Sequence, residues 1–154
     1  IIENIVEKTK KLLKKSNQFL KGQYDFEISH HYGLEKFFKY GLVMLTILNR
    51  EYCKKILIIL PGQTHPEQWH VKKEETFHIL YGIINLKLNG KSKEYGAGSL
   101  ITIKPKTKHE FSSKLGSVIE EISTTHFKKD SFYTDKKIMK NSNRKISITY
   151  HWES

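Results

Sequence analysis

The stretch that decides the reading is PGQTHPEQWHVKKEETFHILYG, Pro61 to Gly82. It holds three histidines, three glutamates, two glutamines and two lysines between two apolar, β-like runs, KKILIIL and INLKLNG. Polar groups at that density inside a sheet are costly to bury unless something satisfies them. The spacing is informative. Gly62 is followed by five residues, then Gln68, one residue, His70, four residues, Glu75, six residues and Gly82. Residues i and i+2 of a strand share a face, so Gln68 and His70 are expected to enter the interior together. A turn then returns Glu75 on the neighbouring strand. Imidazole, carboxylate and amide oxygen together suit a divalent metal such as Mn, Fe, Ni or Zn.

Outward from this stretch the chain reads as short strands. LVMLTILN, KKILIIL, ETFHILYG, INLKLNG, GSLITIK, HEFSS and SVIEEIS are parted by turn signals at Asn49-Arg50, Pro61-Gly62, Asn89-Gly90 and Gly96-Ala97-Gly98. That rhythm predicts an antiparallel sandwich or barrel, and Asn89-Gly90 predicts a type I′ hairpin turn. A late strand, KISITYHW at Lys145 to Trp152, is expected either to close a barrel edge or to pair with a second subunit. Before the strands, residues 1–22 are assigned to an amphipathic helix packing on the barrel. Ile2, Ile5, Val6, Thr9, Leu12, Leu13, Phe19 and Leu20 make its apolar face, and Gly22 is its stop. Residues 23–154 then form the barrel, with one short helical turn expected around Leu34 to Lys39.

Composition limits the function classes. The 154 residues suit one domain with a real core. A single cysteine, Cys53, excludes an internal disulfide and suits a reducing cytoplasm. No apolar run approaches the ~20 residues of a membrane span. The net charge of +11 rests almost wholly on lysines scattered along the chain, without the clustered arginines and stacking aromatics of nucleic-acid readers. The expected partner is therefore a small ligand, with neither nucleic acid nor membrane, and the charge implies attraction to anions. The chain opens IIENIV without an initiator Met. It is expected to be a homodimer or part of a larger chain.

The glycine-framed pattern resembles the first motif of the cupins, with Gln68 in the place of the first histidine. The second motif is matched from Gly98 to His109, with lysines at 104, 106 and 108 and Ser113 in place of its asparagine. The resemblance implies a double-stranded β-helix (jelly-roll) barrel. It also implies a metal held by His70, Glu75 and His109 with Gln68, or His65 on the preceding loop as a substitute. His78, three residues from Glu75, faces the other way. Three segments, "PGQTHPEQWHVKKEETFHILYG", "GSVIEEISTTHFKKDSFYTDKKI" and "EISHHYGLEKFFKYG", are similar to the C-terminal cupin domain of sialic-acid-synthase-like proteins. HVKKEE is similar to the metal site of D-lyxose isomerases, which implies that Lys73 assists catalysis. Either likeness implies a sugar ligand. Two readings follow: a metal-dependent sugar isomerase or epimerase in sialic-acid-like (nonulosonic acid) biosynthesis, or a non-catalytic sugar-binding or regulatory module attached to a synthase. In the first, Glu121 moves the proton if alternation turns it, rather than Glu120, inward. His30, His31, Tyr32 and His65 are expected to line the sugar pocket.

Overall fold

The computed structural model describes residues 1–153. Helix α1 (Ile2–Lys15) leads into β1 (Gly22–Ser29), a 3-10 turn at Leu34–Lys36, then β2 (Leu42–Asn49), β3 (Tyr52–Ile59), β4 (Gln63–Trp69) and β5 (Glu75–Tyr81). There follow β6 (Ile83–Leu88), β7 (Lys91–Gly96), β8 (Leu100–Ile103), β9 (His109–Ser113), β10 (Ser117–Thr124) and β11 (Phe132–Tyr133). A short helix, α2 (Lys136–Lys140), and β12 (Lys145–Trp152) complete the chain. Seven strands make one sheet in the order β12-β1-β2-β3-β10-β5-β8, and five make the other, β11-β4-β9-β6-β7. The two face each other as the expected double-stranded β-helix, every strand pair antiparallel.

Strand β3 explains why KKILIIL is continuously apolar. Ile56, Ile58 and Leu60 pack outward with Ile5, Leu12 and Leu13 of α1. Leu57 and Ile59 pack inward with Phe77, Ile79, Phe111 and Ile119. A strand buried on both faces loses the alternation that marks a half-buried one. The inward row has a second property. Along β3 it runs Ile59, Leu57, Lys55; along β10, Ile119, Glu121, Ser123; along β5, Ile79, Phe77, Glu75. The barrel is apolar at one end and polar at the other.

Three differences from the sequence reading have local causes. Helix α1 ends at Lys15, not Leu20, because Asn17 adopts φ 56°, a left-handed conformation that a short polar side chain tolerates. Phe19 consequently leaves the helix face and is 74% exposed. Strand β1 was unforeseen within YDFEISHHYG. It lies between β2 and β12, so KISITYHW extends the seven-stranded sheet by pairing with β1. Strand β7, KSKEYG, was also unforeseen, since most of it is solvent-exposed and shows no apolar period. The Asn89-Gly90 turn holds as expected, with φ 48° and 84° between β6 and β7.

The framing glycines test the motif. Gly62 and Gly82 have φ 86° and 84°. A Cβ at Gly62 would meet open space, whereas one at Gly82 would be driven into the Gly116 carbonyl oxygen. Gly62→Ala should therefore cost only the left-handed penalty of about 1–2 kcal/mol. Gly82→Ala should cost clearly more, at least about 3 kcal/mol, through added backbone displacement. Urea unfolding midpoints measure both; equal losses would contradict the packing at Gly82.

Candidate metal centre

His70 follows the end of β4, Glu75 opens β5 and His109 opens β9. One ligand atom from each lies within 4.8 Å of the other two, and all three side chains are buried. The sequence reading put Gln68 and His70 on one strand face. In the structure the β4–β9 register shifts between His65 and Gln68, and the strand stops at Trp69. His70 is nonetheless delivered inward, while Gln68 is half-buried beside it on the cavity wall.

The orientation of the two imidazoles decides the chemistry. His70 Nδ1 lies 2.7 Å from the Asp130 carbonyl and His109 Nδ1 3.0 Å from the Thr107 carbonyl. A carbonyl only accepts, so each Nδ1 carries a proton, and in the neutral ring Nε2 presents its lone pair. Those Nε2 atoms stand 3.6 and 3.0 Å from Glu75 Oε1. Despite these distances neither Nε2 nor either Glu75 oxygen has a hydrogen bond of good geometry, though all are buried. Two lone pairs facing a carboxylate in a dry interior repel unless a proton or cation sits among them. Backbone-oriented imidazoles beside a carboxylate are the arrangement that fixes metal-ligating histidines, and these donors fit a divalent ion. Burial pulls the His109 pKa down, but the Glu75 carboxylate outweighs it and raises it above 6.5. Burial would raise Glu75, yet Lys73 and His109 hold it well below the usual carboxylate range.

A second layer of charge surrounds the three. The Lys73 ammonium lies 3.4 Å from Glu75 Oε2 and 3.6 Å from Glu121 Oε2. Burial opposes its charge, but Glu121 and Glu75 prevail and its pKa is raised. Glu121 points inward and is buried. Burial, reinforced by the Glu75 charge and opposed by Lys73, pushes its pKa up to about 7. Glu120 points outward to Lys54 and His78, so His78 lies off the site as expected. The turn carrying Lys73 is held by Asp130, whose carboxylate accepts from the backbone N–H groups of Val71, Lys72 and Lys73 at 2.8–3.1 Å. Nothing in the sequence marked Asp130, which reaches the turn from almost 60 residues away.

The sugar-pocket expectations need correction. A narrow cavity opens beside His70, walled by Lys55, Gln68, Lys73, Glu121, His126 and Tyr133 among others. Its free space is about 30 Å³, room for one or two waters. Of the SHHYG segment only Ser29 reaches it, because β1 ends there and the following turn leads away. His31 sits one layer behind, its Nε2 3.3 Å from the Tyr133 hydroxyl. His30 is buried outside the wall. Tyr32 bonds Asp135 at 2.5 Å in a separate surface cleft. His65 lies on β4, not on a loop. Its ring stacks on Phe111 and its Nδ1 meets the Pro66 carbonyl, so it lines the cavity but stands outside the three converging donors. Lys55 and His126, which the sequence reading passed over, also face the cavity.

Residues 55–116 match the family described as cupin domain. The barrel has the cupin-type double-stranded β-helix fold. Over 89% of its length the chain is 29% identical to a D-lyxose/D-mannose isomerase of Thermosediminibacter oceani, covering 92% of that protein. It is 29% identical to a D-lyxose ketol-isomerase of Cohnella laeviribosi over 70% of the chain and 75% of the relative. Among solved structures, an L-ribose isomerase variant from an Acinetobacter species, in complex with L-ribose, superposes with a TM-score of 0.73. That likeness spans 92% of this chain and 93% of the other at 12% identity, a likeness of fold. These relatives are named as sugar isomerases, not as sialic-acid-synthase-like proteins. Among the described residues no helix is long and apolar enough to cross a membrane.

For this barrel, elemental analysis should find about one divalent ion per chain. His70→Ala and Glu75→Gln should each abolish binding. Asp130→Ala, which frees the turn rather than removing a donor, should weaken affinity about 10–100-fold. Full metal content in His70→Ala would show that the centre lies elsewhere.

Proposed function

We propose that this cupin is a metal-dependent aldose–ketose isomerase acting on a pentose or hexose. The observation that carries the reading is the buried Glu121 carboxylate, bridged by one ammonium, Lys73, to the Glu75 end of the three-donor site. The activities named for the relatives from Thermosediminibacter and Cohnella support the same class. The nonulosonic-acid pathway implied by the earlier resemblance has no such support from these relatives.

His70, Glu75 and His109 would hold the ion, with Gln68 as a neighbouring oxygen donor. Mn, Fe, Ni and Zn all accept such a set. Bound there, the metal supplies Lewis-acid polarisation of the sugar's adjacent oxygens. The chain's own residues do the rest. Glu121 takes the proton from C2 of the aldose and returns it to C1, while the hydroxyl proton passes from O2 to O1. Reactant and product then differ only in where two protons lie. Lys73 is no base, since two carboxylates keep it charged. It donates hydrogen bonds that hold Glu121 and the sugar oxygens in register. Phe77 and Phe111 floor the cavity and exclude water from the reacting carbons.

Glu121→Gln should lower kcat at least about 100-fold and leave one metal per chain. Ketose formation from D-lyxose, D-mannose and L-ribose, followed with metal-loaded protein, measures it. Sugar binding without interconversion by the unaltered protein would instead identify a non-catalytic sugar-binding module.

A further inference from the structure

Lys55 is the buried lysine on the cavity wall that the isomerase reading leaves without a task. It lies on β3 directly across from Glu121 and shares its inward face. The residue is only 2% exposed, yet among the described residues no hydrogen bond or ion pair reaches its Nζ. Glu121, its nearest carboxylate across the strand pair, is engaged with Lys73. Burial lowers the Lys55 pKa and outweighs the longer-range pull of Glu121, with the Lys73 charge lowering it further. Retaining an ammonium here costs several kcal/mol unless a partner arrives.

The surroundings add to the surplus of positive charge. Lys145 reaches the same cavity, and its side chain is 37% exposed beside Glu27. His126 also faces it, and burial together with Lys55 and Lys73 pushes that imidazole down to about 3. A neutral sugar offers such a pocket only hydroxyls. With a divalent ion among His70, Glu75 and His109, the charges of Lys55, Lys73, Glu75, Glu121 and the ion sum to about +2, since each lysine cancels one carboxylate. That excess matches a terminal oxyanion.

Distance fits as well. Lys55 stands two strands and two residues from Glu75. Sheet spacings place their Cα atoms roughly 12 Å apart, and the inward-reaching side chains reduce that to the length of a pentose or hexose chain.

We infer that Lys55, aided by Lys145, is a specificity-determining site for an oxyanion at the far end of the sugar, a phosphate or a carboxylate. The inference rests on the isomerase reading for which end of the sugar lies at the metal centre. The site itself is a claim about binding. In this arrangement the carbonyl end faces Glu121 and Lys73 while the anionic end meets Lys55. The narrow cavity then opens by movement of the flexible Lys145 side chain.

The test uses metal-loaded protein and calorimetry with ribitol, ribitol 5-phosphate and ribonate, none of which can isomerise. Ribitol 5-phosphate or ribonate should bind at least ten-fold tighter than ribitol, and whichever does so identifies the oxyanion. The preference should vanish in Lys55→Met and persist in Lys55→Arg. Equal affinity for all three, or a preference untouched by Lys55→Met, overturns the proposal. In the latter case the anion is held elsewhere, the metal included. Isomerisation of neutral and phosphorylated aldoses is assayed in parallel. If neither reacts but the Lys55-dependent preference remains, the isomerase reading fails and the oxyanion site stands.

Discussion

The Glu75 carboxylate is 1% exposed, flanked by two imidazole nitrogens and an ammonium, and its oxygens lack well-formed hydrogen bonds. Every nearby element is arranged around that group. A buried carboxylate stripped of its partners is worth a loss of about 3–5 kcal/mol, so the barrel can hold one only where charges converge on it. Lys73 supplies one, and the two histidines present nitrogens that a metal or a proton must bridge. The carbonyls of Asp130 and Thr107 fix which nitrogen faces inward. A chemically blander interior would have needed none of this.

That requirement explains the gradient inside the barrel. The inward rows of β3, β10 and β5 pass from Leu57, Ile119 and Ile79 to Lys55, Glu121 and Glu75. The apolar half supplies burial and rigidity; the polar half borrows that rigidity to hold its side chains in place. The outer face of the same sheet is sealed by α1, so β3 is buried on both sides and anchors the polar row. Asp130 performs the matching task for the turn between ligands, taking three backbone N–H groups with one carboxylate. Lys73 is thereby fixed by main chain as well as by charge.

The cavity also gives local meaning to a global property. Most of the 27 basic residues lie on solvated surface, where they bear mainly on solubility and long-range attraction. Lys55 and Lys73 are different, since burial makes each charge depend on named partners. Lys73 has two carboxylates within reach, and Lys55 has none in direct contact. Electrostatic balance, rather than lysine number, separates these two buried cations from the rest.

What the sequence determined by itself was local and periodic. Short apolar runs between turn residues specified an antiparallel barrel, because strand alternation and turn chemistry act within a few residues. The glycine-framed spacing, read through the family resemblance, pointed to His70, Glu75 and His109, whose ligand atoms lie within 4.8 Å of one another. The alternation at Glu120-Glu121 narrowed the inward carboxylate to one of two. Only the tertiary structure decided which, since the choice depends on pairing β10 with β3 and β5. It likewise decided that β1 and β12 pair, that His30 and Tyr32 lie off the cavity, and that His65 lies on a strand. Asp130 and Lys55 were illegible for the same physical reason. Asp130 matters through backbone groups almost 60 residues away, and Lys55 through a cross-strand neighbour 66 positions on, and no local pattern encodes contacts at that range.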